Sequence, residues 1–166
     1  MTPLPSTFKT GRGLRLDFHR PLYMGILNVT PDSFSDGGRY GNVEAVVRQA
    51  KQLVEDGATI LDIGGESSRP GSEPVSLDEE CKRVLPAIEA LLGANLGAAI
   101  SIDTTKSVVA DKAAQLGAEF INDISALSDP EMAQIAAKHG DLNGYNLVMA
   151  PDETAAFDFS ATTPSP

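Results

Sequence analysis

A parallel α/β sheet closed as a (β/α) barrel is the fold this sequence predicts, and two observations carry the prediction. Short apolar runs alternate with amphipathic helical stretches, at Leu22 to Leu27, Ala58 to Ile63, Ala98 to Ile102 and Glu119 to Ile121. Connections long enough to hold a helix join parallel strands, whereas tight hairpins join antiparallel ones. The second observation is a faint internal repeat: GATILDIGG (57 to 65) and GAEFINDIS (117 to 125) look alike across about two strand-helix units. Repetition of like units suits a barrel better than an open doubly wound sheet.

Each element follows from local chemistry. A small hairpin is expected over Gly13 to Phe18, ahead of the first run. After that run and a polar loop, Val43, Val46, Val47, Ala50, Leu53 and Val54 recur at helical spacing, with Asn42 as N-cap and Gly57 as the left-handed stop of a helix ending near Asp56. Ser76 and Glu79 form a capping-box pattern for a helix to about Leu92, whose apolar face holds Val84, Leu85, Ile88 and Leu91. Pro86 inside it removes a hydrogen bond and is expected to kink it. The third run ends at Asp103 and leads to a helix over Lys106 to Leu116, stopped by Gly117. The fourth ends at Asn122 and Asp123, and Asp129-Pro130 opens the next helix with a cap followed by proline at the first turn. A fifth run, Tyr145 to Met149, meets Pro151, and from Ala150 the Ser, Thr, Pro and Ala-rich tail is expected to be disordered. The organisation expected is an N-terminal extension with its hairpin over 1–20, a partial barrel over 21–149 and a tail over 150–166.

Composition narrows the function classes. With 13 basic and 23 acidic residues the chain carries a net charge of −10, so it repels nucleic acid and anionic membrane surfaces. The single cysteine, Cys81, excludes an internal disulfide framework and lies in a helical pattern where a buried apolar role is expected. No stretch has the length and apolarity of a signal core or a membrane span, so a cytoplasmic location is expected.

The chemistry gathers at the strand ends. Asn28, Asp62, Asp103, Asn122 and Asp123 lie at or near the C-terminal ends of successive runs, positions that converge on one mouth of a barrel, where such sites are built. Aspartate and asparagine are also common helix caps and turn formers, but Asn28 precedes its helix across a loop far longer than the usual roughly two to six residues. Thr30 to Gly38 is polar with one aromatic, Phe34, and Gly37-Gly38 supplies a hinge, as expected of a lid that excludes water. In GGESSRPG (64 to 71), Gly64 and Gly65 allow backbone amides close to a ligand, and Arg69 can grip an anion by two hydrogen bonds or pair with Glu66 or Glu73. Fixed acceptors such as Asp103 and Asn122 suit a heterocycle with a guanidine-like N–H edge. An anion site and an acceptor pair imply a small-molecule substrate with two unlike ends.

MGILNVTPDSFSDGG (24 to 38), GATILDIGGESSRPG (57 to 71), ISIDTTK (100 to 106) and GAEFINDIS (117 to 125) together resemble the dihydropteroate synthase family, from about Gly13 to about His139. The resemblance implies a (β/α)8 TIM barrel of which this chain holds about the first four to five β/α units, since a complete barrel takes about 250 residues. It implies a transferase of folate biosynthesis that joins p-aminobenzoate to 6-hydroxymethyl-7,8-dihydropterin pyrophosphate with Mg²⁺, the target of sulfonamides. Carried over by position, Asn28 is the residue associated with Mg²⁺ and pyrophosphate, and Asp103 and Asn122 are the pterin acceptors, Asp103 also stabilising charge on the ring. Ser68 stands where the family usually has threonine, and Phe34, Arg69 and Pro70 help form the p-aminobenzoate pocket. No protein nucleophile is implied. The family's later pterin-binding aspartate and lysine, its late arginine and histidine, and the helices of its usual homodimer interface belong to segments without a counterpart here. A noncatalytic half barrel that binds pterin or another chain and a pterin-dependent methyltransferase-type domain are the alternatives; the TPDSFSDGG and SSRPG loops speak against the latter.

Overall fold

The computed structural model describes residues 7–30, 38–67 and 73–139. Strands β1 (Thr7–Lys9) and β2 (Arg15–Asp17) pair antiparallel. Only the second falls within the hairpin expected from sequence, because the turn at Gly13 (φ +86) folds the chain back onto residues upstream of it. Thereafter strand and helix alternate: β3 (Met24–Asn28), α1 (Gly38–Glu55), β4 (Ile60–Gly64), α2 (Leu77–Ala94), β5 (Ala99–Asp103), α3 (Ser107–Leu116), β6 (Phe120–Asn122) and α4 (Met132–His139). The four strands from β3 to β6 lie side by side in chain order and run parallel. These are four successive β/α units of a barrel, and the expected fold class holds.

Local signals account for the helix boundaries. Ser76 is the N-cap of α2 and its hydroxyl accepts from the Glu79 amide at 3.3 Å, satisfying one of the orphan donors of the first turn. Glu79 does not complete the box; its carboxylate takes the Arg83 guanidinium at 3.0 Å instead. Helix α2 runs through Pro86. Gly57 (φ +108) and Gly117 (φ +119) end α1 and α3 in the left-handed region, as the glycine stops predicted. Asn42 is not the start of its helix, because α1 begins four residues earlier at Gly38. The residues expected as the fifth run and tail lie outside those described.

The core follows from strand alternation. Leu27, Leu61, Ile63, Ile100, Ile102 and Ile121 face the helices and are buried against Val46, Val84, Ile88, Leu91, Val109 and Met132. Burying a side chain of this size is worth about 1.5 to 3 kcal/mol, so this layer supplies most of the cohesion. Gly65 belongs to the same layer: a Cβ there would stand 2.7 Å from Val84 Cγ1 and 3.1 Å from Glu80 Cγ. Close packing of the strand end on α2 by itself requires glycine at this position. On the opposite face, Ile60, Ala99 and Phe120 cluster with Phe8 and Leu16 of the hairpin, and the rings of Phe8 and Phe120 lie 5.8 Å apart. The hairpin thus plugs the N-terminal end of the strands. Arg12 fastens it there, donating to the Ala98 carbonyl at 2.8 Å and to Glu119 at 2.7 Å. No helix among the described residues is long and apolar enough to cross a membrane.

Candidate active site

Strand register brings the sequence-predicted polar residues together. Asn28 pairs with Gly64, Gly64 with Asp103, and Asp103 with Asn122. These four residues therefore form one row across the C-terminal ends of the strands, and side chains in one row of a parallel sheet share a face. Gly64 keeps the row open: a Cβ there would meet Asp103 Oδ2 at 3.3 Å and Asn28 Oδ1 at 3.8 Å. Two residues further in on β4 and β5, Asp62 and Ser101 stand opposite each other. The residues that the internal repeat makes equivalent, Asp62 and Asn122, touch: the Asn122 amide donates to Asp62 Oδ2 at 2.9 Å across β5.

Three buried atoms on this face lack a hydrogen-bond partner among the described residues, namely Asp62 Oδ1, Ser101 Oγ and Asn122 Oδ1. A buried polar atom left unpaired costs about 1 to 3 kcal/mol, so a group of such atoms at one strand end calls for a partner that the described residues do not supply. Burial pushes the Asp62 carboxyl up, opposed by the nearby Ser101 hydroxyl and the Asn122 amide. Asp103 is raised to about 7 by burial first and then by the charges of Asp62, Glu80, Asp123 and Glu66. An acidic mouth of this kind favours a ligand edge rich in N–H donors, which satisfies the acceptors and offsets the crowding of like charge.

Sequence reading missed the polar girdle beside the row. Glu80, on α2, is 1 % exposed. It accepts the Thr104 hydroxyl at 2.6 Å and the Lys106 ammonium at 2.6 Å, and Lys106 also reaches Glu66 at 2.5 Å. Glu66, Ser67, Glu80, Asp103, Thr104, Thr105 and Ile124 line one small cavity at this mouth. The available signal was the position of Glu80 four residues before Val84, an acid on an apolar stripe. Asp123, fully buried, accepts from the Ser125 amide at 2.8 Å and the Leu127 amide at 3.0 Å. It thereby shapes the β6–α4 loop, where Ala126 and Leu127 take positive φ. Asp129, expected as the cap of α4, serves two helices: Oδ1 accepts from Glu131 and Oδ2 from Ser107 at the start of α3.

Phe34, Ser68, Arg69 and Pro70 lie outside the described residues. Asn28 is exposed at the mouth, and no cluster of three or more His, Cys, Asp or Glu side chains that could hold a metal ion is present among the described residues.

Residues 24–154 match the family described as pterin binding enzyme. This chain belongs to that family. The pterin-binding family is represented nearby by the dihydropteroate synthase of Bacillus subtilis (strain 168), 56% identical over 121 residues, which are 72% of this chain and 42% of that protein. The Xanthomonas albilineans dihydropteroate synthase solved with 4-aminobenzoic acid superposes with a TM-score of 0.75 at 44% identity, over 82% of this chain and 50% of that one. The same organism's enzyme in complex with 7,8-dihydropteroate gives 0.67 at 44% identity, over 77% and 46%. The chain thus spans about half the length of these pterin-binding relatives, and its four described units are part of their barrel.

Proposed function

We propose that the protein to which this chain contributes is a dihydropteroate synthase, condensing 6-hydroxymethyl-7,8-dihydropterin pyrophosphate with p-aminobenzoate. The observation that carries the reading is the row Asn28, Gly64, Asp103 and Asn122, with the unpartnered acceptors of Asp62 and Asn122 beneath it. Solved relatives bound to 4-aminobenzoic acid and to 7,8-dihydropteroate support both ends of the substrate pair.

Asp103, Asn122 and Asp62 accept the N–H edge of the pterin and orient it with its methylene toward the open mouth. A donor-rich pterin edge returns Asp103 toward its ionised form, and that carboxylate stabilises positive charge growing on the ring as the leaving group departs. The arylamine nitrogen forms the new bond to the methylene carbon, the carbon–oxygen bond to pyrophosphate breaks with its electron pair, and the amine releases a proton. No protein nucleophile takes part. Arg69, Phe34, Pro70 and Ser68 form the p-aminobenzoate pocket in this proposal.

The oxygen donors at the mouth fit Mg²⁺ that arrives with the substrate. Mg²⁺ keeps several waters and takes one or two protein oxygens beside phosphate groups, and the exposed Asn28 supplies an open amide oxygen near Asp103 Oδ2. When bound, the ion neutralises charge on the leaving pyrophosphate. A cytoplasmic homodimer, and the division of the chain into extension, partial barrel and tail at residues 20 and 149, complete the proposal.

Calorimetric titration of the chain with the dihydropterin pyrophosphate and Mg²⁺ tests the pocket directly. Asp103→Asn is expected to weaken binding by about 1.5 to 3 kcal/mol, the scale of a hydrogen bond to a charged group. Unchanged affinity in the variant would move the pocket elsewhere.

A further inference from the structure

We propose that Lys106 is a positioning residue for the pterin pocket, holding its two walls together by bridging Glu66 and Glu80. One wall is the start of the β4–α2 loop, where Glu66 and Ser67 line the cavity; the other is the β5–α3 turn, where Asp103, Thr104 and Thr105 line it. Backbone hydrogen bonds at this level tie neighbouring strand ends, as from Val29 to Gly64 and from Thr104 to Asn122. Among the described residues none of them joins Glu66 to the β5–α3 turn. The Lys106 ammonium spans that gap, with Glu66 at 2.5 Å on one side and Glu80 at 2.6 Å on the other.

Glu80 is the anchor of the arrangement. Its side chain is 1 % exposed, against 32% for Glu66, and its second oxygen accepts the Thr104 hydroxyl at 2.6 Å. Thr104 in turn accepts from the Lys106 amide at 3.2 Å, so the turn that carries the ammonium is itself fixed to α2. A buried carboxylate beside other acids needs a cation, and one flexible lysine between two carboxylates meets that need while setting the distance between the walls. Arg83 fixes the loop start from outside by donating to the Gly65 carbonyl at 2.9 Å. Lys106 fixes it from the cavity side, next to Asp103.

The inference rests on the pterin reading of the Asp103 cavity, so its test has a readout that needs no ligand. Hydrogen exchange of the 166-residue chain is compared in wild type, Lys106→Met, Lys106→Arg and Glu66→Gln. In Lys106→Met and Glu66→Gln, the amides of Val29 and of residue 106, which donate to the Gly64 carbonyl at the start of the loop and to the Thr104 hydroxyl, are expected to exchange at least about tenfold faster, the scale of one charge-assisted hydrogen bond. Core amides of Leu61 to Ile63 and Ile100 to Ile102 keep their protection, and Lys106→Arg restores the loop. Unchanged exchange at Val29 and residue 106, an equal rise throughout the core, or no rescue by arginine overturns the bridge. Calorimetry with dihydropterin pyrophosphate then reads the consequence, an affinity at least about tenfold weaker in Lys106→Met and recovered in Lys106→Arg. A loosened loop with wild-type affinity overturns the positioning role. A wild-type chain that binds no pterin counts against the proposed function for this chain, and exchange still decides the bridge.

Discussion

The sheet face turned away from the helices has two ends of opposite character. At the N-terminal end, Ile60, Ala99 and Phe120 are sealed by Phe8 and Leu16 into a hydrocarbon floor. At the C-terminal end, the same strands carry Asn28, Asp62, Asp103 and Asn122, with buried oxygens left without partners. Stability is gathered at the floor and spent at the mouth, the division expected when binding groups are held preorganised on a rigid scaffold. Substitutions at the two ends should therefore differ in sign as well as size.

The largest effect belongs to the floor. Phe120→Ala removes a buried ring and its contact with Phe8, and urea unfolding is expected to register a loss of about 3 to 5 kcal/mol. A loss below roughly 1 kcal/mol would make the hairpin plug irrelevant to stability.

At the mouth the sign reverses. Because Asp103 is raised from 3.8 to about 7, the folded chain keeps a proton that the unfolded chain has already released. The stability contributed by that retained proton is therefore fully present below about 4, falls as pH rises through this window and is gone above about 7. Asp103→Asn removes the ionisation. The variant is expected to exceed wild type in urea unfolding at pH 8 by on the order of 2 to 3 kcal/mol, after allowance for solvent screening, with the gap closing toward pH 4. A gap that does not narrow with acid breaks the link between the mouth and instability.

The smallest of the three effects tests what holds floor to hairpin. Arg12→Ala leaves Glu119, whose side chain is only 5% exposed, without its cation, although Glu119 Oε2 still accepts the Ile100 amide at 3.2 Å. A loss of about 1 to 2 kcal/mol is expected, with amides of Phe8 and Leu16 losing exchange protection before those of β4. Equal loss in both would show that hairpin and sheet open as one unit.

Signals confined to a turn or two of chain were legible in the sequence. The glycines at 57 and 117, the Ser76 cap and the four strand-helix units all follow from backbone dihedral preference and side-chain period, which depend on near neighbours alone. The motifs around Asn28, Asp103 and Asn122 likewise marked the mouth and the family before any coordinates. Asn42 misled because a cap signal competes with whatever precedes it, and α1 extends back to Gly38. The pairing of Asp62 with Asn122, sixty residues apart, the burial of Glu80 beneath Lys106 and the packing role of Gly65 against Val84 belonged to the tertiary structure alone. Each depends on strand register and on which helix covers which strand, and a local pattern carries neither. Sequence by itself determined the units, their order and the acids at their ends; only the tertiary structure, by bringing those ends into one row and α2 beside them, decided which acids share the open mouth and which face a lysine.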